Sequence, residues 1–271
     1  MAHTKRPTPF VLVSSSHGTL IINSKDVRMT SENSGFGIGF QILTTGGANQ
    51  EEIELANFLI QKRHQYFGNG VIVLDCGANI GVHTVEWAKT MHGWGHIYAF
   101  EAQEKIFYAL AGNLIINNCF NATAKHCALG AQCGTLDIPE PNYCLAGSFG
   151  SLELKPHQKN EFIGQKIDYE KTKPIPLISI DSLNLLRSDF LKIDVEGMEE
   201  DVLIGAEKTI QKHKPIMLIE HIKSDLNKMT QWLKNWNYKF HVIGINVLAI
   251  HETDPIHQHL TIEGNYIKVK N

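Results

Sequence analysis

Four short apolar runs, at residues 71–74, 97–100, 190–193 and 216–219, each stop at an acidic residue. They are separated by stretches with helical spacing. Runs that are apolar on both pleat faces belong to strands covered on two sides, which is the condition of a parallel sheet. Helical patterns at 82–91, 104–117, 198–212 and 225–235 supply the covers; in the last, Leu226, Met229, Leu233 and Trp236 form one stripe. Such alternation predicts an α/β fold, a Rossmann-like sheet with right-handed crossovers and helices on both faces. A length of 271 residues suffices for one large core with an appendage.

Before residue 50 the pattern differs. The pieces 10–13, 19–22 and 40–43 are rich in β-formers and are separated by Ser, Gly and Asn clusters, which predicts an N-terminal β-rich extension, or cap, over residues 1–50. Residues 51–271 then form the main domain, opening with a helix over 51–67 that has acids in its first turn and Gly68 and Gly70 behind it. Residues 139–176 break the alternation with prolines at 139, 141, 156, 174 and 176, and predict a functional loop or lid.

In an open parallel sheet the ligand lies beyond the carboxyl ends of the strands. The residues there are Asp75, Glu101, Asp194 with Glu196, and Glu220 with His221. Gly77 permits a sharp strand-to-helix turn, and Gly81 leaves room for a ligand or a neighbouring element; a tight turn with no ligand explains the pair equally well. Glu101 ends the strand after that turn, where a carboxylate can accept from both hydroxyls of a ribose. The turn lacks the middle glycine of Gly-x-Gly-x-x-Gly that seats a dinucleotide pyrophosphate. Asp75 would repel a phosphate but suits the ammonium or sulfonium of S-adenosylmethionine, so the expected cofactor is S-adenosylmethionine.

Lys+Arg 25 against Asp+Glu 28 provides no broad basic face, so a nucleic-acid partner is not favoured. The run 10–13 is too short for a signal or a membrane span. Five cysteines without a Cys-x-x-Cys pair suggest neither a disulfide frame nor a zinc ribbon, and a soluble cytoplasmic protein is expected.

The segments Asp75-Cys-Gly-Ala-Asn-Ile-Gly-Val-His-Thr84, Phe100-Glu-Ala102 with Asn113, Ala128-Leu-Gly130, Leu191-Lys-Ile-Asp-Val-Glu-Gly-Met-Glu199 and Val202-Leu-Ile-Gly-Ala206 resemble the FkbM-type methyltransferases, within the class I S-adenosylmethionine-dependent fold. The resemblance runs from about residue 71 to 220. It implies Asp75, Gly77, Asn79 and Gly81 around the methionine part of the cofactor, with Ala78, His83, Thr84 and Asp194 beside them. It also implies Glu101 on the ribose, next to Ala102, and Ala128 and Leu129 at the adenine. Ala102 stands where the family commonly has proline.

The acceptor implied by the resemblance is a hydroxyl of a sugar, glycan or glycosylated small molecule. His221 is the first candidate for its base, Glu196 and Asp194 the others; each also fits a helix cap. A divalent metal on Asp194, Glu196 and Glu220, or on Asp194, Glu220 and His221, is a less favoured alternative. Asp181 is expected to tie loops together and Cys76 to pack. Two rival readings are an NAD-dependent oxidoreductase on the same sheet and a cofactor-binding protein without catalysis. A homo-oligomer is left open.

Overall fold

The computed structural model describes residues 6–32, 34–157, 159–263 and 266–269, so residues 1–5 and 33 of the expected cap lie outside the described residues. The chain opens with a hairpin, β1 (Phe10–Ser15) and β2 (Gly18–Asn23), then a two-residue ladder of β3 (Arg28–Met29) with β4 (Gly35–Phe36), and helix α1 (Ile38–Thr45). Helix α2 (Gln50–Phe67) leads into β5 (Val71–Cys76), α3 (Val82–Thr90), β6 (Gly95–Glu101), α4 (Glu104–Ile116) and β7 (Ala122–His126). Strands β8 (Ala128–Leu129), β9 (Gly134–Pro139) and β10 (Thr172–Ile178) make a small separate sheet. After them come β11 (Phe190–Ile193), α5 (Glu199–Gly205), α6 (Glu207–His213), β12 (Ile216–Glu220), α7 (Leu226–Asn235), β13 (Tyr238–Ile243), β14 (Asn246–His251) and a hairpin of β15 (Leu260–Glu263) with β16 (Tyr266–Val269).

The main sheet has the order β13-β14-β12-β11-β5-β6-β7. Strands β7, β6, β5, β11 and β12 are parallel, and β14 runs antiparallel to both its neighbours. The chain winds outward from β5 in one direction and from β11 in the other. Their carboxyl ends therefore flank the point where the winding reverses and the crossovers leave a crevice.

Side chains alternate between two cores along these strands, as a doubly covered sheet requires. Val71, Val73, Ile97, Ala99, Phe190, Ile216 and Leu218 face α2, α3, α4 and the hairpin residues Leu20 and Ile22. Leu74, Cys76, Phe100, Leu191, Ile193, Met217 and Ile219 face α5, α6 and α7. Buried Asn113 of α4 ties the hairpin to the sheet: its Nδ2 donates to Ile80 O (2.8 Å) and Ile21 O (3.1 Å), and its Oδ1 accepts from Ile21 N. A buried ion cluster closes the opposite end of the strands. There Arg63 of α2 donates through Nη1 to Asp254 (2.6 Å) and through Nε to Asp189 (3.3 Å), while Asp189 also accepts from Ile72 N.

Three expectations change. Phe40-Gln-Ile-Leu43 lies within α1 and not on a strand: Gly37 (φ 126°) and Gly46 (φ 77°) set the helix ends, and Asp26 Oδ2 accepts the Gly39 N–H of the first turn at 2.9 Å. The helix expected over 198–212 is two, α5 and α6. They are broken where Gly205 presses on the Gly130 backbone and Asp181 takes the N–H groups of Lys208 and Thr209. Part of the irregular 139–176 segment is strand β10, whose Pro174 and Pro176 sit before its pairing with β8 begins at Leu177, on a stretch with a ladder on one side only.

Candidate functional site

The turn after β5 carries positive φ at Gly77 (84°), Asn79 (51°) and Gly81 (86°). A Cβ on Gly77 would stand 1.8 Å from Asp194 O, and one on Gly81 2.5 Å from Leu110 Cδ1. Both glycines are therefore required by the protein's own neighbours, β11's end and α4. Gly77, Ala78 and Asn79 nevertheless line a cavity of about 230 Å³, as do Glu101, Ala102, Ala128, Leu129, Asp194 and Glu196.

Four expected residues lie behind that wall. Gly81 is turned to α4. Asp75 is fully buried, with Oδ2 accepting from Thr84 Oγ1 at 2.5 Å, so Asp75 and Thr84 lock the start of α3 to β5. Asp75 Oδ1 has no hydrogen-bond partner among the described residues. His83 Nε2 lies 2.9 Å from Glu52 Oε1, at an angle that leaves neither atom hydrogen bonded.

Glu101 is buried at the end of β6. Its Oε2 accepts from Asn79 N (3.0 Å) and its Oε1 from Gln103 N (2.7 Å). Burial pushes its carboxyl up to about 7, against the pull of those N–H groups. A buried carboxylate at a cavity wall, with Ala102, Ala128 and Leu129 lining the same cavity, is able to accept from a pair of hydroxyls.

The far walls come from distant sequence. Gly37, Ile38 and Gln41 of the α1 region, and Ser148, Gly150, Ser151 and Leu152 of the 139–176 segment, line the same cavity. Asp26 holds the two together: Oδ2 accepts from Gly39 N, and Oδ1 from Phe149 N at 2.9 Å. Gln103 Nε2 adds a bond to Phe149 O at 2.8 Å. Burial raises the Asp26 carboxyl to about 6.

At the floor, Lys192, Asp194 and Glu196 alternate in the chain from β11 into the turn. Lys192 is buried and donates to Asp194 Oδ2 at 2.7 Å. Burial would lower its pKa, but Asp194, Glu52 and Asp75 outweigh that and hold it protonated. Glu196 has φ 53°, Gly197 follows at 94°, and Glu199 Oε1 accepts from the N–H groups of Val195 and Gly197. This reversal returns Glu196 toward Asp194. Lys223 binds Glu196 Oε2 and also donates to Ser151 O. Burial and then Asp194 push Glu196 up to about 8. Burial, Asp194 and Glu196 push Glu220 to about 9.

Asp194, Glu196 and Glu220 offer carboxylate oxygens within 4.8 Å of one another. His221 is not among them: its Nε2 turns to Gly244 O at 3.3 Å, and it does not line the cavity. The expected base thus stands outside the cavity wall, because the chain turns at His221 towards the β13–β14 loop. Lys192, Lys223, Gln103 and the Asp26 clasp were missed from sequence. Only Lys192, a cation within a four-residue strand of the sheet centre, left a signal there.

The family described as the methyltransferase FkbM domain matches residues 75–240. Methyltransferase 1 of Beauveria bassiana (strain ARSEF 2860) is 27% identical over 149 residues, covering 51% of this chain and 59% of the relative. Methyltransferase sdnD of Sordaria araneosa is 27% identical over 162 residues, covering 50% and 60%. The chain thus spans about 60% of the length of these curated relatives. The crystal structure of methyltransferase FkbM from Methylobacillus flagellatus KT is similar at 19% identity, with TM-score 0.47, over 68% of this chain and 43% of that one. With the matched region running from the Asp75 turn through the Asp194–Glu196 floor to β13, the chain belongs to the FkbM methyltransferase domain family.

Proposed function

We propose that this protein transfers a methyl group from S-adenosylmethionine to a hydroxyl of a sugar, glycan or glycosylated small molecule. The observation that carries the reading is one cavity bordered by both buried Glu101 and the Asp194–Glu196 pair. S-adenosylmethionine, when bound, supplies a methyl carbon made electrophilic by its sulfonium. In this reading Glu101 accepts the ribose hydroxyls, Ala128 and Leu129 border the adenine, and the Gly77–Asn79 backbone holds the methionine end. Asp194 and Glu196 face the acceptor. Glu196 would take the proton of the acceptor hydroxyl. Its raised carboxyl pKa suits a base working near neutral pH.

Carboxylates that accept from hydroxyls also suit a polyhydroxylated acceptor. Family membership favours this reading over an NAD-dependent oxidoreductase, and the turn lacks the glycine such a cofactor needs. The test pairs thermal shift with transfer of labelled methyl to a panel of glycosides. S-adenosylhomocysteine at about 100 times its dissociation constant should stabilise the protein by about 2.7 kcal/mol, with NAD well below. Stabilisation by NAD alone would favour the oxidoreductase. Stabilisation without labelled product across the panel would favour a non-catalytic binder.

A further inference from the structure

We propose that Asp194 and Glu196, at the floor of the cavity, and Glu220, beside them behind its lining, bind one divalent cation of the oxygen-preferring kind, Mg²⁺, Mn²⁺ or Ca²⁺. Each offers one carboxylate oxygen, and the three oxygens lie within 4.8 Å of one another. That span suits ligands about 2.0–2.6 Å from a shared ion. Asp194 and Glu220 extend from adjacent parallel strands paired at Ile193 and Ile219, so their spacing is set by the sheet. The left-handed backbone at Glu196 and Gly197 brings the third carboxylate back to them.

A separate observation points to a ligand. Glu220 is 7% exposed, and its Oε2 has no hydrogen-bond partner among the described residues. The two nearby ammonium groups are engaged elsewhere, Lys192 on Asp194 Oδ2 and Lys223 on Glu196 Oε2, which leaves the other oxygen of each of those carboxylates. Asp194, Glu196 and Glu220 together outnumber Lys192 and Lys223, while Glu52 and Asp75 also lie around Lys192. A sulfonium would add one diffuse charge and no coordination. A small dication engages all three oxygens, and an all-oxygen set selects hard ions over Zn²⁺ or Cu²⁺. Its role rests on the methyl-transfer reading: with the ion bound, Glu196 is a ligand in place of the base, and the ion would hold an acceptor hydroxyl beside the methyl and make it acidic enough to lose its proton to water. Ion binding itself does not depend on that reading.

The experiment titrates chelator-treated full-length protein with Mn²⁺, read by the paramagnetic signal of the free ion, and with Mg²⁺ and Ca²⁺ by calorimetry. Each titration is run with and without S-adenosylhomocysteine. One Mn²⁺ per chain is expected, competed by Mg²⁺ or Ca²⁺, with binding weakened more than about tenfold in Glu220→Gln and in the less buried Glu196→Gln. Circular dichroism and retained S-adenosylhomocysteine binding verify that each variant is folded. No uptake of any of the three ions at millimolar concentration overturns the site, as does unchanged uptake in both folded variants or uptake of Zn²⁺ alone. Ion uptake without S-adenosylhomocysteine binding would leave the site standing and remove the methyl-transfer reading.

Discussion

Glu101→Gln tests the cofactor reading through its pH dependence. Burial raises Glu101 from 4.5 to about 7, a difference equivalent to about 3 kcal/mol between its protonation states. The sign follows from proton uptake. Between about 7 and 4.5 the folded, ligand-free protein holds a proton on Glu101 that the unfolded chain does not. The group therefore favours folding as pH falls through 7 and opposes it above. Ribose hydroxyls donate best to the ionised form, so binding must displace that proton at low pH. S-adenosylhomocysteine affinity should then fall by up to about tenfold per pH unit below 7. The neutral glutamine cannot titrate, and it can accept from only one of the Asn79 and Gln103 N–H groups while its amide opposes the other. At pH 8 the variant should bind more weakly by about 1.5–3 kcal/mol for each charge-assisted bond lost. Calorimetry from pH 5.5 to 8.5 on both proteins separates the ligand's own titration, which is common to both, from that of Glu101. Equal pH slopes in the wild type and a folded variant would refute the argument.

Three further outcomes are expected. Arg63→Ala leaves Asp254 buried without its cation and Asp189 with Arg187 alone, which should cost about 3–5 kcal/mol and lower the melting temperature by roughly 10 °C in calorimetric scans. Asp26→Ala frees the buried N–H groups of Gly39 and Phe149, at about 1–3 kcal/mol each. It should also weaken S-adenosylhomocysteine binding, because two cavity walls lose their common clasp; a stability loss with unchanged affinity would make Asp26 purely structural. In a methyl-transfer assay Glu196→Gln should lower kcat by about 100- to 10,000-fold, whereas His221→Ala, outside the cavity, should leave it nearly unchanged.

The parallel strands and their acidic ends were legible because a doubly buried strand must be apolar on both faces, leaving its first charged residue to mark the ligand edge. Edge strand β7, with every residue only partly buried, carries no such run, and neither it nor the β13–β14 pair was anticipated. Helix α1 was misread because apolar Ile38, Phe40, Ile42 and Leu43 satisfy both periods, and what decides for the helix is Asp26, a residue outside it. Glu101 was placed by its strand end alone. His221 shared that signal, yet its side chain follows the turn away from the cavity. Distant contributors such as Ser148 and Lys223 became neighbours only through folding.

The strand order also bears on modularity. The family-matched window closes at residue 240, inside β13, but β13 joins the sheet only through β14, residues 246–251, which sits between it and β12. Arg63, before the window, pairs both with Asp254 beyond it and with Asp189 within it. A fragment cut at the window's limits would lose Val71–Leu74 of β5, the strand that carries the Gly77 turn, expose the edge of β12 and leave Asp189 with Arg187 alone. The unit that recombination could transplant intact is therefore wider than the stretch whose sequence is recognisably shared, and it includes α2 and the segment through Asp254.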